Sequence, residues 1–396
     1  MGKATTATLR IERIAVKHLE SFWHGDRGAS PDEGLVPINP LRARAHANNP
    51  NASPDDVALV VAYLGKTCVG YLGLMPGVLR IGEKFHKVFF GTTLYVPPEY
   101  RRYGIAISLM GELKRLGEDI VIAGLSDDAA AVYRHLRWKE LAALPLYELE
   151  IRKGEVASIP LRMIRRLLRR AGVPSEWLNS CVASLDAMYY QAQKRLLYSR
   201  LARRPGGGLE KAKWNEVRHV LPDEFNALEE CGSEPHFYRS GQVINWMLDY
   251  RWPERKADMD QRSTGYYFSS SCVDFGHVAV RITSQQGDEC LGYVVLSFRK
   301  EEHCTTLKLL DVRLSEPFLR PVVVAIAIQY AKVYQVDRLE FAAEWLEAIS
   351  VRFSKSASPI RRERSYFYFD AAGAGLLTQV IDRLALSYCD GDRAFT

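Results

Sequence analysis

The stretch from Val88 to Leu116 constrains this chain more than any other. An apolar run, Val88 to Val96, has the make-up of a strand. After it come Pro97-Pro98, the turn Glu99-Tyr100-Arg101-Arg102-Tyr103-Gly104, and a second run, Ile105 to Leu116, that reads as a helix. A small-residue turn between strand and helix is a place to hold a phosphate. Gly104 lets the main chain approach a ligand closely. The free N–H groups of the first helical turn and the positive end of the helix dipole then face the anion, and Arg101 adds a charge-assisted bond. No Gly-Lys-Ser/Thr follows, so this is not a P-loop, and one glycine stands where the dinucleotide fingerprint has three.

Leu94-Tyr95-Val96-Pro97-Pro98-Glu99-Tyr100-Arg101-Arg102-Tyr103-Gly104-Ile105-Ala106 resembles the acetyl-CoA motif of the GNAT acetyltransferase superfamily, Arg/Gln-x-x-Gly-x-Gly/Ala after a strand ending in Val-x-Pro. A second stretch, Ala129 to Trp138, resembles the family pattern Asn-x-x-Ala-x-x-x-Tyr-x-x-x-Gly-Phe. Tyr133 matches its tyrosine, Ser126 stands where the Asn would be, and Arg137-Trp138 replaces Gly-Phe. The resemblance implies acetyl-CoA as co-substrate, without a metal. It places the pantetheine arm along Leu94, Tyr95 and Val96, the pyrophosphate on Arg101, Arg102, Tyr103, Gly104, Ile105 and Ala106, and Ser126 among the cofactor contacts. It also implies that Tyr133 protonates the departing thiolate, for which a phenol with a pKa of about 10 is a suitable acid. The cofactor strand is expected to splay after Val96, where Pro97-Pro98 withholds hydrogen bonds from a neighbour.

The general base is less legible. Val88 to Thr93 carries no carboxylate. Glu83, His86 and Glu99 are the nearest candidates in sequence, and a water bound by Thr92 or Thr93 is an equal contender. Asp390-Gly391-Asp392 forms a second acidic constellation, able to grip an amine or sugar hydroxyls, or else a solvated tail. Tyr366 to Phe369 reads as a buried strand rather than a sugar platform.

Residues 8–150 alternate as an α/β unit. The expected order is a strand at Thr8–Val16, short helices at His18–Gly25 and Leu41–Ala47, and strands at Val57–Leu64, Thr67–Leu74, Val78–Ile81 and Lys87–Val96. The Ile105 helix, a strand at Asp119–Ala123, a helix at Asp127–Leu136 and a strand at Leu141–Ile151 complete it. Residues 211–396 look like a worn second copy. Strands are expected at Trp214–Val220, Gly265–Ser269, His277–Thr283, Leu291–Arg299, Thr305–Leu314, Arg338–Phe341 and Ser365–Phe369, and helices at Pro222–Glu230 and Phe318–Val333. Its counterpart of the phosphate turn, Ser315 to Pro321, lacks glycine. Pro321 removes a backbone donor and Glu316 would repel an anion, so no CoA is expected there.

Between the copies, residues 151–204 hold twelve Lys/Arg against three Asp/Glu, more than the whole chain's net +6. Helices are expected there, with Leu161, Ile164, Leu168 and Ala171 as an apolar stripe among arginines and Trp177 to Leu201 as a longer helix, followed by an Arg-Pro-Gly linker. The organisation is therefore an α/β (α+β) fold of two tandem GNAT-like mixed-sheet domains. These are an acyl-CoA-binding domain at 1–152, a basic helical connector and linker at 153–210, and a degenerate GNAT-like domain at 211–396. The tandem arrangement also looks like acetyltransferase-like proteins associated with bacterial surface polysaccharides.

Seven cysteines without a Cys-x-x-Cys, and nine histidines without a His-x-x-x-His, suggest neither a disulfide framework nor a zinc site. The longest apolar run, near Val322 to Ile328, is too short to span a bilayer, and the N-terminus lacks a secretory h-region. The expected location is cytoplasmic, with peripheral attachment to the inner membrane face through residues 155–204. The expected acceptor is a small-molecule amine, an amino sugar or sugar nucleotide of surface polysaccharide in particular. An acidic partner is an alternative for the basic segment, and nucleic acid is not expected. Rival readings are a non-catalytic acyl-CoA-binding scaffold, or a Fem-like aminoacyl transferase.

Overall fold

The computed structural model describes residues 8–24, 35–151, 212–228, 234–256, 266–268, 270–353, 357–371 and 375–395, with Glu210 and separate positions between 166 and 199. The N-terminal half runs β1 (Leu9–Ala15), α1 (Leu19–His24), α2 (Pro40–Ala47), β2 (Val57–Leu64), β3 (Thr67–Ile81), β4 (Lys84–Tyr95), α3 (Ile105–Lys114), β5 (Ile120–Ala123), α4 (Asp127–His135) and β6 (Lys139–Ile151). The C-terminal half begins with β7 (Ala212–Val217), α5 (Pro222–Ala227), β8 (His236–Tyr238), α6 (Gly241–Asp249) and the short parallel pair β9 (Glu254–Arg255) and β10 (Ser271–Cys272). It continues through β11 (Asp274–Ser284), β12 (Cys290–Lys300), β13 (Thr305–Leu314), α7 (Arg320–Val333), β14 (Arg338–Ala342), α8 (Leu346–Phe353), β15 (Ala357–Phe369) and α9 (Leu376–Val380).

Most expected elements form, because the sequence periods that specify them are strong. Three differ. The segments expected at Thr67–Leu74 and Val78–Ile81 are one strand, β3, running through Pro76. Its pairing with β2 ends at Gly73 and its pairing with β8 starts at Val78, so Pro76 sits where a missing N–H costs no ladder bond. Among the residues expected as a strand at Gly265–Ser269, Tyr266, Tyr267 and Phe268 form no strand. Beyond the expected elements, helix α6, capped by the Ser240 hydroxyl, helices α8 and α9 and the short strands β8, β9 and β10 were not anticipated.

One sheet runs through the whole chain in the order β1-β2-β3-β4-β5-β15-β6-β14-β13-β12-β11-β7, with β8 on the edge of β3. Read from either end the pattern is the same: antiparallel neighbours, then one parallel pair (β4 with β5, β13 with β14), then antiparallel again. The two central strands are exchanged. β15, from the C-terminal half, lies between β5 and β6, and β6 lies against β14. The sheet is thus continuous across the connector.

Alternate residues of the N-terminal strands face opposite sides. Val60, Leu72, Phe89 and Ile120 pack with Leu109 and Leu113 of α3 and Tyr133 of α4. On the other side Leu59, Val61 and Tyr71 pack with Phe22 of α1 and Ala43 of α2. A further core joins the halves, bringing Phe90 and Tyr366 together with Trp246, Trp252 and Phe395. The apolar stripe expected at Leu161 to Ala171, most of its arginine face and the Arg-Pro-Gly linker lie outside the described residues. Of that face, Arg166 and Arg170 are exposed helical residues. Further on, Lys194 and Tyr190 bond Asp337 at 2.6 and 2.9 Å, and the Tyr198 hydroxyl donates to the Val336 carbonyl, so this part of the connector is anchored on the C-terminal half.

α2 carries a pH-sensitive element of the core. His46 is buried, stacks on Trp252 and places Nδ1 3.1 Å from the Leu74 carbonyl. Burial, reinforced by the nearby Arg42 charge, lowers its pKa to about 3 from an ordinary 6.5. The unfolded chain therefore takes up the proton first as pH falls. His46's contribution is complete above pH 6.5 and is lost by about 1.4 kcal/mol per pH unit between pH 6.5 and about 3. Urea titrations at pH 7 and pH 5 are expected to show a fall in stability that is about 2 kcal/mol smaller in His46→Gln than in the wild type. Equal falls would show that another group sets the dependence.

Candidate active site

β4 and β5 are paired from Phe89–Ile120 to Gly91–Ile122 and then part. Gly91 keeps them close to that point, since a Cβ there would lie 2.9 Å from the Ile122 side chain. The cause of the parting lies on the other edge of β4. Tyr71 opposes Tyr95 and Gly73 opposes Thr92, so β4 carries one residue more than β3. Within this bulge Thr93 has φ +52°, a left-handed conformation that a β-branched residue adopts only under strain. A bulge bends its strand, and no strand pairs with Thr92–Tyr95 on the β5 side. The fork therefore opens after Gly91, not after Val96, and the bulge rather than Pro97-Pro98 opens it. Thr92 is buried with an unpartnered hydroxyl beside Gly73, where a Cβ would come within 2.6 Å of that oxygen.

On one face of the sheet the fork leads to the start of α3. Pro98–Tyr103 forms a 3-10 turn and Gly104, at φ +70°, is the N-cap of α3, with no side chain capping the helix. The N–H groups of Ile105, Ala106 and Ile107 consequently lack intrahelical acceptors. Arg101 donates from Nε to the Val96 carbonyl at 3.2 Å, tying the turn to the end of the cofactor strand. Arg101, Arg102 and Tyr103 are exposed, Leu94 and Tyr95 half-buried, and Val96 and Ile105 buried. Tyr103 and Ile107, 65% and 51% exposed, leave apolar surface at the mouth.

Tyr133 lies behind this face, edge-on to Trp138 at 5.0 Å and beside Phe367. Tyr133 is buried, and burial pushes its phenol well above the ordinary range, which keeps it protonated and makes it a weaker acid toward a thiolate than a free phenol. The departure at Arg137-Trp138 has a structural equivalent. Arg137 adopts φ +59°, the conformation a glycine would supply, and the Trp138 N–H closes the helix end on the Tyr133 carbonyl. Ser126 caps α4, its hydroxyl accepting from the Ala129 N–H at 3.3 Å. The expected cofactor role of Ser126 would compete with that bond.

The base candidates are not brought to the fork. Glu83 sits in the exposed turn between β3 and β4. His86 is six residues before Thr92, roughly 20 Å along the strand. Glu99 is exposed on the 3-10 turn.

Instead, the opposite face of the fork carries polar residues that sequence reasoning largely missed. Arg42 of α2 donates to the Tyr266 hydroxyl at 2.9 Å, reaches Asp392 at 3.3 Å and lies over the Trp252 ring at 3.5 Å. The Tyr266 hydroxyl also bonds the Thr93 side chain. Arg364 of β15 lies beside Gly124, just past β5, and its Nη2 is 3.6 Å from Asp392. The two tail aspartates have different positions. Asp390 is buried, paired with Arg239 at 2.8 Å and accepting from the Ser387 N–H at 2.6 Å, whereas Asp392 is 29% exposed. Tyr366, Phe367 and Tyr368 are buried in β15.

The sequence matches no protein-family model and no curated protein. Among solved structures, N-myristoyltransferase from Saccharomyces cerevisiae with bound myristoyl-CoA and inhibitors is 9% identical with a TM-score of 0.51, over 93% of this chain and 81% of that one. A tandem GNAT protein from the clavulanic acid biosynthesis pathway is 13% identical with a TM-score of 0.47, over 93% of this chain and 100% of that one. The fold is similar to that of the yeast N-myristoyltransferase. At these identities the likeness concerns the fold. Within this fold, among the described residues, only the N-terminal half keeps an open fork. In the other half β13 and β14 part after Lys308–Glu340, and Glu340 there accepts from Tyr388 at 2.6 Å and Arg393 at 2.7 Å of the C-terminal segment. The corresponding helix, α7, starts at Arg320 with Pro321 in its first turn. No described helix is long and apolar enough to cross a membrane, and no described group of His, Cys, Asp or Glu is arranged to hold a metal ion.

Proposed function

We propose that this protein transfers an acyl group, acetyl or another short chain, from acyl-CoA to an amine. The observation that carries the reading is the fork at Thr92–Tyr95, with an uncapped, glycine-led helix start on one face and the Arg42–Tyr266–Asp392–Arg364 group on the other. Acyl-CoA would lay its pyrophosphate on the Gly104 turn and its pantetheine along the unpaired edge of β4. The amine would approach from the opposite face. Its nitrogen attacks the thioester carbonyl, forming the C–N bond as the C–S bond breaks, and Tyr133 gives the departing thiolate a proton. On this reading the Thr92 and Thr93 hydroxyls, both beside Gly73 in the strained bulge, would hold a water that takes the amine's proton. An amino sugar or its nucleotide is one acceptor class that fits this scheme. A thermal-shift titration with acetyl-CoA, followed by thiol release over an amine panel, tests it. Binding without turnover of any amine would favour the acyl-CoA-binding scaffold instead.

The arginines of Leu161–Ala171 would attach the protein to anionic membrane, at about 1 kcal/mol for each basic residue near the lipid. Wild type is expected to co-sediment with anionic vesicles at low salt and to be released as salt rises. A variant with Arg165, Arg166, Arg169 and Arg170 changed to Gln is expected to stay in the supernatant. Equal pelleting of both would leave the segment as a brace between the halves.

A further inference from the structure

The buried guanidinium of Arg239 is matched by two carboxylates, Asp311 at 2.6 Å and Asp390 at 2.8 Å. Beside the fork the balance is reversed. Arg42 and Arg364, with side chains 5% and 7% exposed, share Asp392 as their one carboxylate, at 3.3 and 3.6 Å. Charge-assisted bonds of this type usually measure about 2.7–2.9 Å. Arg42 also contacts the Tyr266 hydroxyl and the Trp252 ring, and Arg364 the carbonyls of Tyr388 and Asp390 and the Tyr366 ring; the Asp390 carboxylate, which also acts on Arg364, is already paired with Arg239. An arginine cannot shed its proton to relieve the excess. With Asp390 already paired to Arg239, the described residues leave one carboxylate for two guanidiniums here, an excess of positive charge in a largely buried place that is costly until an anion arrives. The shared carboxylate is 29% exposed, so an anion that displaces it would meet both guanidiniums. The pair is tied to the reacting centre through Tyr266, which bonds both Arg42 and Thr93.

We propose that Arg42 and Arg364 form an anion subsite of the acceptor pocket, and that the acceptor is an amine bearing its own anionic oxygen group, a carboxylate or a phosphate. This rests on the acyl-transfer reading above. It narrows the acceptor to compounds such as an amino acid or a phosphorylated amino sugar, and sets aside neutral amines.

The test compares matched acceptors in the acetyl-CoA thiol-release assay: glycine with glycinamide, phenylalanine with phenylalaninamide, and glucosamine 1-phosphate with glucosamine. The anionic member of at least one pair is expected to have a kcat/KM about 10–100-fold higher, mostly through KM. The pair that shows it identifies carboxylate or phosphate as the source. Arg364→Gln is expected to bring that ratio close to one, and Arg364→Lys to restore part of it, with acetyl-CoA affinity unchanged by calorimetry. A ratio does not depend on the folded fraction, so destabilisation by either substitution leaves the readout intact. A wild-type ratio near one, or an unchanged ratio in Arg364→Gln, overturns the subsite. If acetyl-CoA does not bind, the acyl-transfer reading fails. The subsite is then decided by whether the anionic member of a pair raises the melting temperature more than its neutral partner does in wild type, and not in Arg364→Gln.

Discussion

Calorimetry of Gly104→Glu is expected to show acetyl-CoA affinity reduced about a hundredfold or more, in a protein that still folds. Open space surrounds the position, with no atom within 4 Å of the point a Cβ would occupy, so the first atom of a side chain meets no clash in the free protein. The cost comes from two other sources. At φ +70° any L side chain strains the turn, and a carboxylate at the start of α3 would occupy the place where, on the proposed reading, the N–H groups of Ile105 and Ala106 meet the pyrophosphate. Each charge-assisted bond lost costs about 1.5–3 kcal/mol, and like-charge repulsion adds to it. Gly104→Asn, which tolerates the left-handed conformation and adds no charge, is expected to lose much less. Unchanged affinity in Gly104→Glu would remove the cofactor from this turn.

Tyr133→Phe is expected to lower turnover by about 10²–10⁴-fold while acetyl-CoA binding persists. The substitution leaves the contacts with Trp138 and Phe367 in place, so lost packing does not confound the result. Because burial holds the phenol well above its ordinary pKa, turnover should show no loss from phenol ionisation across the neutral range. A drop of less than threefold, with thiolate release shown to be the slow step, would return Tyr133 to a packing role.

The strand, turn and helix start proposed to hold the cofactor were legible in the sequence because they are local. A strand, a glycine turn and a helix start lie within Val88 to Leu116, and their order alone puts Gly104 where an anion can be held. Tyr133 was legible for the same reason, from its place in the second motif. The acceptor side was not. Arg42, Tyr266, Arg364 and Asp392 come from four separate segments, and nothing near any of them in sequence marks it as a neighbour of the others. Asp392 alone was noticed, and then only as one of a pair that the fold divides. The fork itself was placed too late, because the prolines were a visible reason for divergence and a bulge at Thr93 was not. Register cannot be read from one strand, and the extra residue on β4 exists only by comparison with β3. Glu83 and His86 show the converse error. They are close to Thr92 in sequence, but an extended chain carries them out to the hairpin end.

The exchange of β6 and β15 makes the two halves inseparable as material. A fragment ending at the connector would leave β5 with a bare edge of main-chain donors and acceptors, the kind of surface that recruits other chains. A fragment beginning after the connector would in turn lack the strand against which β14 and β15 are built. The C-terminal half is therefore needed for a reason apart from chemistry. It supplies the strand that closes the N-terminal half's sheet, and with it Arg364, so a deletion of that half would also remove part of the proposed acceptor site.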